Sequence, residues 1–77
     1  MTAQELRNTK DYKDAVAKIE GYTKGFTFTL DYAKIPKPKA NALKIITRDC
    51  IKNGIIESVQ FGLNFDGNTV DETFRRL

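Results

Sequence analysis

Two segments in which apolar and polar residues alternate, residues 26–32 and 59–65, constrain the fold most. A period of two places successive side chains on opposite faces of a strand, so each segment predicts a half-buried β-strand. Because a two-stranded sheet is marginally stable alone, we expect helices to cover one face or a third strand to join. Residues 55–56 or another segment would supply that strand, or a sheet edge would pair with a second chain in a homodimer.

Capping residues and an apolar stripe predict two helices before the first strand. Thr2 and Glu5 have the spacing of a capping box and predict a short helical turn. Thr9 can cap a second helix that Gly21 ends in left-handed geometry. The apolar stripe of this second helix consists of Tyr12, Ala15, Val16 and Ile19.

The segment between the two strands predicts a third helix over residues 39–53, which Gly54 ends. Its apolar line, Leu43, Ile46 and Cys50, predicts a buried face, with Cys50 as a core residue. Residues 32–52 contain six lysines and arginines and one acid, a net charge of +5 in a chain of net charge +3. Most of these cations fall on the opposite helix face and predict a surface for an anionic partner. The predicted contact residues are Lys44, Arg48 and Lys52, with Asn41, Lys37 and Lys39 at the edge.

The C-terminal segment predicts a turn and then a helix. Asp66, Gly67 and Asn68 are typical turn residues, and Thr69 and Glu72 repeat the capping-box spacing. The sequence therefore predicts one α+β domain over residues 1–77. Its small two- or three-stranded sheet packs against amphipathic helices in the order α-β-α-β-α. The central strand-helix-strand unit is right-handed if its strands pair in parallel.

Composition argues against catalysis. The chain has no histidine and one cysteine, which removes the commonest general base and any internal disulfide. Two interpretations exist for the polar residues Asp66, Asn68, Asp71 and Glu72. They resemble a calcium loop, or, as we favour, they form a turn followed by a helix cap. We therefore predict no enzyme activity and no cofactor. Without a signal peptide or an apolar run of about 18 residues, we expect a cytoplasmic protein that does not bind membranes.

Two partial motifs point to nucleic acid. The run Lys24-Gly25-Phe26-Thr27-Phe28 resembles the opening of the RNA-recognition-motif signature, which implies that Phe26 and Phe28 stack on bases in solvent. Core packing is the alternative that the residues favour. The run from Ile51 to Glu57 looks like the end of a recognition helix and the wing of winged-helix proteins, which implies phosphate contacts on the basic helix.

In its small size and lack of a complete motif, the chain resembles the phage and mobile-element inhibitors known as anti-CRISPR proteins. That resemblance is to a class defined by function, and it carries no residue assignments. It implies a binding protein that sterically inhibits a host nucleoprotein enzyme such as a CRISPR-Cas nuclease, with a host protein or ribonucleoprotein as partner. The alternative is a small nucleic-acid-binding regulator that uses the basic helix.

Overall fold

Helices and a three-stranded sheet make up the part of the chain that the structure, a computed structural model, describes, residues 2–77. The predicted α+β class, with a small sheet packed against helices, is confirmed. None of the helices in this range is long and apolar enough to cross a membrane. In chain order the elements are α1 (Ala3–Arg7), α2 (Lys10–Glu20), β1 (Thr27–Asp31), a 3-10 turn (Tyr32–Lys34), α3 (Lys37–Lys52), β2 (Ile56–Leu63) and β3 (Thr69–Arg76).

The N-terminal helices begin at the predicted caps. The Thr2 hydroxyl accepts a hydrogen bond from the Glu5 backbone N–H, and the Thr9 hydroxyl accepts one from the Tyr12 N–H. Each bond satisfies a donor that has no partner within its own helix. The prediction for Gly21 is wrong in its geometry, because this residue caps α2 in right-handed conformation with a φ of −76°. Gly54, with a φ of 74°, does follow the end of α3 in left-handed conformation.

The third strand of the sheet is β3, which lies between the other two in the order β1-β3-β2. It pairs with both neighbours in antiparallel register. β1 and β2 therefore run in the same direction without touching, and α3 connects them across β3. The parallel pairing considered for the two predicted strands does not form.

The C-terminal helix predicted for residues 69–77 is wrong, because this segment is β3. Gly67, with a φ of 80°, closes a turn that folds β3 back along β2. Phe74, at the centre of the sheet, is fully buried and stacks on Phe28 of β1 with 5.4 Å between ring centroids. Pairing with β1 and β2 gives hydrogen-bond partners to the backbone groups on both edges of this segment. A short terminal helix would bury only one stripe of apolar side chains.

The core lies on one face of the sheet, beneath α2 and α3. Cys50, predicted as a core residue, is 1% exposed, and burial raises the pKa of its thiol. On the opposite face, Thr29 and Thr73 share a hydrogen bond of 2.8 Å, and Arg75 forms an ion pair with Glu57. The buried apolar cluster consists of Ile19, Ile46, Cys50, Ile56 and Phe74.

A β-bulge at Val59 changes which side chains of β2 share a face. Ser58 lies opposite Phe74, but the next paired residue is Gln60, opposite Thr73. The bulge inserts one residue and so reverses the alternation beyond it. Ser58 and Phe61 therefore lie on the same face of the sheet as Phe74, the face towards the helices, although simple alternation predicts that they lie on opposite faces.

Candidate binding surface

The outward face of α3 brings together five of the six predicted contact residues. At about 100° per residue, these five fall within an arc of about 80° on the helix. The opposite side of α3 is held against the core by Ile46 and Cys50, both buried. This geometry leaves the cationic side chains pointing away from the sheet centre. We call these residues the cationic face: Lys37, Asn41, Lys44, Arg48 and Lys52.

Lys39, the sixth predicted contact residue, lies elsewhere. It borders a depression between the N-terminal helices and α3, together with Leu6 and Tyr12. Helical spacing explains this position, because Lys39 is five residues before Lys44 and lies about 140° around the helix from it. The structure therefore separates Lys39 from the cationic face.

The single acid of α3, Asp49, is occupied by contacts to the N-terminal helices. Arg7 donates two hydrogen bonds to its carboxylate, at 2.8 and 3.0 Å, and the Tyr12 hydroxyl donates a third at 2.6 Å. The hydrogen bonds from Arg7, and then from Tyr12, hold the pKa of Asp49 below its ordinary value. Within residues 2–77, no carboxylate forms an ion pair with a lysine or arginine of the cationic face.

A groove of about 430 Å³ lies between α3 and the hairpin formed by β2 and β3. Lys44 and Arg48 line its helix side, and Phe61 and Glu72 line its strand side. Phe61 and Glu72 are directly opposite each other in the register of the two strands. The groove therefore joins part of the cationic face to the sheet, and sequence spacing alone gives no sign of this juxtaposition.

Tyr32 forms part of the groove and orients Lys44. The Lys44 Nζ lies 5.0 Å from the centroid of the Tyr32 ring, within the range of a cation–π interaction. Tyr32 is only 7% exposed, and burial raises the pKa of its hydroxyl. This hydroxyl has no hydrogen-bond partner among the described residues. The face of this buried ring therefore offers the Lys44 ammonium group a favourable position beside the groove.

Apolar side chains of the hairpin continue from the groove to the turn. Phe61 is 59% and Leu63 56% exposed, and Phe65 at the turn is fully exposed. Single exposed apolar residues are ordinary, but neighbouring ones indicate a contact surface. We call Phe61, Leu63 and Phe65 the hairpin apolar patch.

The remaining cationic-face residues lie outside the groove. Lys52 borders a depression beside Arg7 and Asp49, and Asn41 borders another beside Leu6 and Pro38. The cationic face thus extends beyond the groove towards both ends of α3. Its role as a contact surface stays a prediction.

Of the residues that carry the two partial motifs, the run from Ile51 to Glu57 spans the end of α3 and the start of β2. Phe28 packs on Phe74 in the core, in agreement with the core interpretation, and Phe26 is half-exposed with its ring 4.8 Å from that of Tyr22.

In the turn after β2, the Asn64 side chain accepts hydrogen bonds from the backbone N–H groups of Asp66 and Asn68. Within residues 2–77, no three acidic, cysteine or histidine side chains are grouped to hold a metal ion.

Comparison with known proteins gives no match to a family model, to a curated protein or to a solved structure.

Proposed function

We propose that this protein is a non-catalytic binding protein that covers an anionic surface of a host nucleoprotein enzyme, such as a CRISPR-Cas nuclease, and inhibits it sterically. The cationic face and the hairpin apolar patch form the contact. The observation that carries this proposal is the row of four cations on one face of α3, none of which forms an ion pair within residues 2–77, beside exposed apolar side chains.

The charge of α3 supports an anionic partner. Cations that are not neutralised within the fold attract phosphates or acidic side chains and speed association. Arg7 and Tyr12 engage the Asp49 carboxylate, and Lys52 interacts with it at longer range. Residues 37–52 contain five cations and this one acid, so α3 keeps a net charge of +4.

The hairpin apolar patch supports a macromolecular partner. Tight interfaces combine a few buried aromatic or aliphatic anchors with a polar rim. Phe61 and Leu63 are of the anchor type, and Lys44 and Arg48 border them across the groove. The two features together match a mixed contact with a nucleoprotein better than a purely electrostatic one.

Inhibition of purified nucleases tests the proposal. Target-DNA cleavage by a panel of guide-loaded CRISPR-Cas nucleases is measured at about 0.15 M salt with increasing protein. We expect stoichiometric inhibition of at least one nuclease. The triple variant Lys44→Ala, Arg48→Ala, Lys52→Ala should lose it by about 10-fold or more, because its phosphate or carboxylate contacts are gone.

A matched control removes the same charge from α2. The variant Lys10→Ala, Lys13→Ala, Lys18→Ala changes the net charge equally at exposed positions and should inhibit like the unmodified protein. Equal loss in both triple variants would show a non-specific charge effect and contradict the proposal. Nucleic-acid binding without inhibition of any nuclease would favour the regulator alternative instead.

A further inference from the structure

The two walls of the groove carry opposite charge. Lys44 and Arg48 lie on the α3 side, and the Glu72 carboxylate lies on the hairpin side. Glu72 accepts a hydrogen bond from the Ser58 hydroxyl at 2.6 Å and forms no ion pair with either cation. A small symmetrical anion would be attracted by one wall and repelled by the other. The groove therefore suits a ligand that is anionic at one end only.

The neutral end of such a ligand meets an aromatic ring. Phe61 shares the hairpin wall with Glu72, and more than half of its surface is exposed. A nucleic-acid base can stack on an exposed aromatic ring, and its polar edge can donate hydrogen bonds to a carboxylate. The volume of the groove lies in the range of small-ligand sites.

We propose that the groove binds one unpaired nucleotide of single-stranded RNA or DNA, with the base stacked on Phe61 and the phosphate between Lys44 and Arg48. The proposal rests on the proposed function in assigning that nucleotide to the nucleic acid of the nucleoprotein partner. It adds a specific site and strandedness to what is otherwise a charged contact. Tyr32 contributes a cation–π contact to the Lys44 ammonium group.

Fluorescence anisotropy with labelled pyrimidine octamers tests the stacking step. Single-stranded RNA, single-stranded DNA and a duplex are each titrated with the purified protein. We expect single strands to bind and the duplex to bind more weakly, because a paired base cannot reach Phe61. Phe61→Leu should weaken single-strand binding by about 10-fold or more, and Phe61→Tyr should restore it.

Phe26 provides an aromatic control outside the hairpin apolar patch. It is half-exposed and does not line the groove, so Phe26→Leu should leave the affinity for the octamers unchanged. Unchanged thermal midpoints of these variants would confirm that each is folded. Equal affinities of Phe61→Leu and Phe26→Leu, or tighter binding of the duplex, would overturn the proposal.

The salt dependence tests the phosphate step. Each lost phosphate contact with a single strand lowers the slope of log K against log salt by about 0.7. The double variant Lys44→Ala, Arg48→Ala should therefore reduce the slope by about 0.7, because the two cations share one phosphate. Lys39→Ala, on the other side of α3, should leave the slope unchanged. An equal slope for the double variant and the unmodified protein would contradict a phosphate between these two cations.

These results separate the two proposals. If Phe61→Leu binds single strands normally while the α3 triple variant loses nuclease inhibition, the nucleotide site is wrong and the inhibitor proposal stands. If Phe61→Leu loses single-strand binding and no nuclease is inhibited, the nucleotide site stands and the inhibitor proposal is wrong. Competition with a poly-glutamate peptide tests for an acidic-peptide site instead. If the peptide displaces the octamer from the unmodified protein but binds Phe61→Leu equally well, the nucleotide proposal is overturned.

Discussion

The two ends of β2 lie in different surroundings although both are apolar. Ile56, at the start of the strand, is 1% exposed beneath the helices, whereas Phe61 and Leu63, past the bulge, are more than half exposed. The same strand thus contributes to the core at one end and to a free surface at the other. Burial is decided by which part of the sheet the helices cover, and alternation in the sequence does not reveal this.

The largest expected effect is at Phe74 of β3, which pairs with Ser58 near the buried end of β2. Phe74→Ala removes the fully buried ring at the centre of the sheet and should cost about 3–5 kcal/mol of unfolding free energy. That loss is comparable to the total stability of a domain of this size, so we expect a largely unfolded chain. Urea titration followed by circular dichroism measures it. An unfolding midpoint near that of the unmodified protein would contradict the central role of Phe74.

An intermediate effect is expected where the N-terminal helices meet α3. Asp49→Asn weakens the contacts from Arg7 and Tyr12 and should cost about 1 kcal/mol at neutral pH. Because the pKa of Asp49 lies below its ordinary value of 3.8, its stabilising contribution is complete above that value. The contribution is lost as the pH falls through the lowered pKa.

Urea titrations of the Asp49→Asn variant and the unmodified protein from pH 7 to pH 2 test this pH dependence of stability. The unfolding free energies of the Asn variant and the unmodified protein should converge in acid. A difference that stays constant across this range would mean that the charge of Asp49 does not stabilise the fold.

The smallest expected effect is at the uncovered end. Phe61→Ala should change the unfolding free energy by less than about 0.5 kcal/mol, because the ring is mostly solvated in the fold. Ile56→Ala in the same strand should cost about 2–5 kcal/mol. Equal losses for the two variants would show that the hairpin apolar patch belongs to the core, and the comparison between the strand ends would fail.

Local rules predict the first half of the fold well. The caps at Thr2 and Thr9, the α3 core positions and the first strand depend on neighbouring residues, and their patterns are visible in sequence. The outward grouping of Lys44, Arg48 and Lys52 follows from helical periodicity in the same way. Lys39 does not share this face, and its spacing of five residues from Lys44 already places it about 140° around the helix.

The second half depends on contacts that sequence spacing does not contain. Val70 and Phe74 are four residues apart behind a capping-box pattern, which fits a helix; pairing with β1 and β2 makes the segment a strand. Sequence spacing does not predict the groove for the same reason, because Phe61 and Glu72 become neighbours only through the strand register. The bulge at Val59 adds a one-residue shift that no turn residue indicates.

The position of β3 also determines when the sheet can assemble. Thr29 and Thr73, which are hydrogen-bonded across β1 and β3, are 44 residues apart in the chain. At about 5–20 residues per second, the ribosome needs roughly 2–9 s to synthesise the 44 residues from Thr29 to Thr73. Until β3 is synthesised, neither β1 nor β2 has a strand to pair with. The sheet therefore assembles only after the last of its three strands has been synthesised.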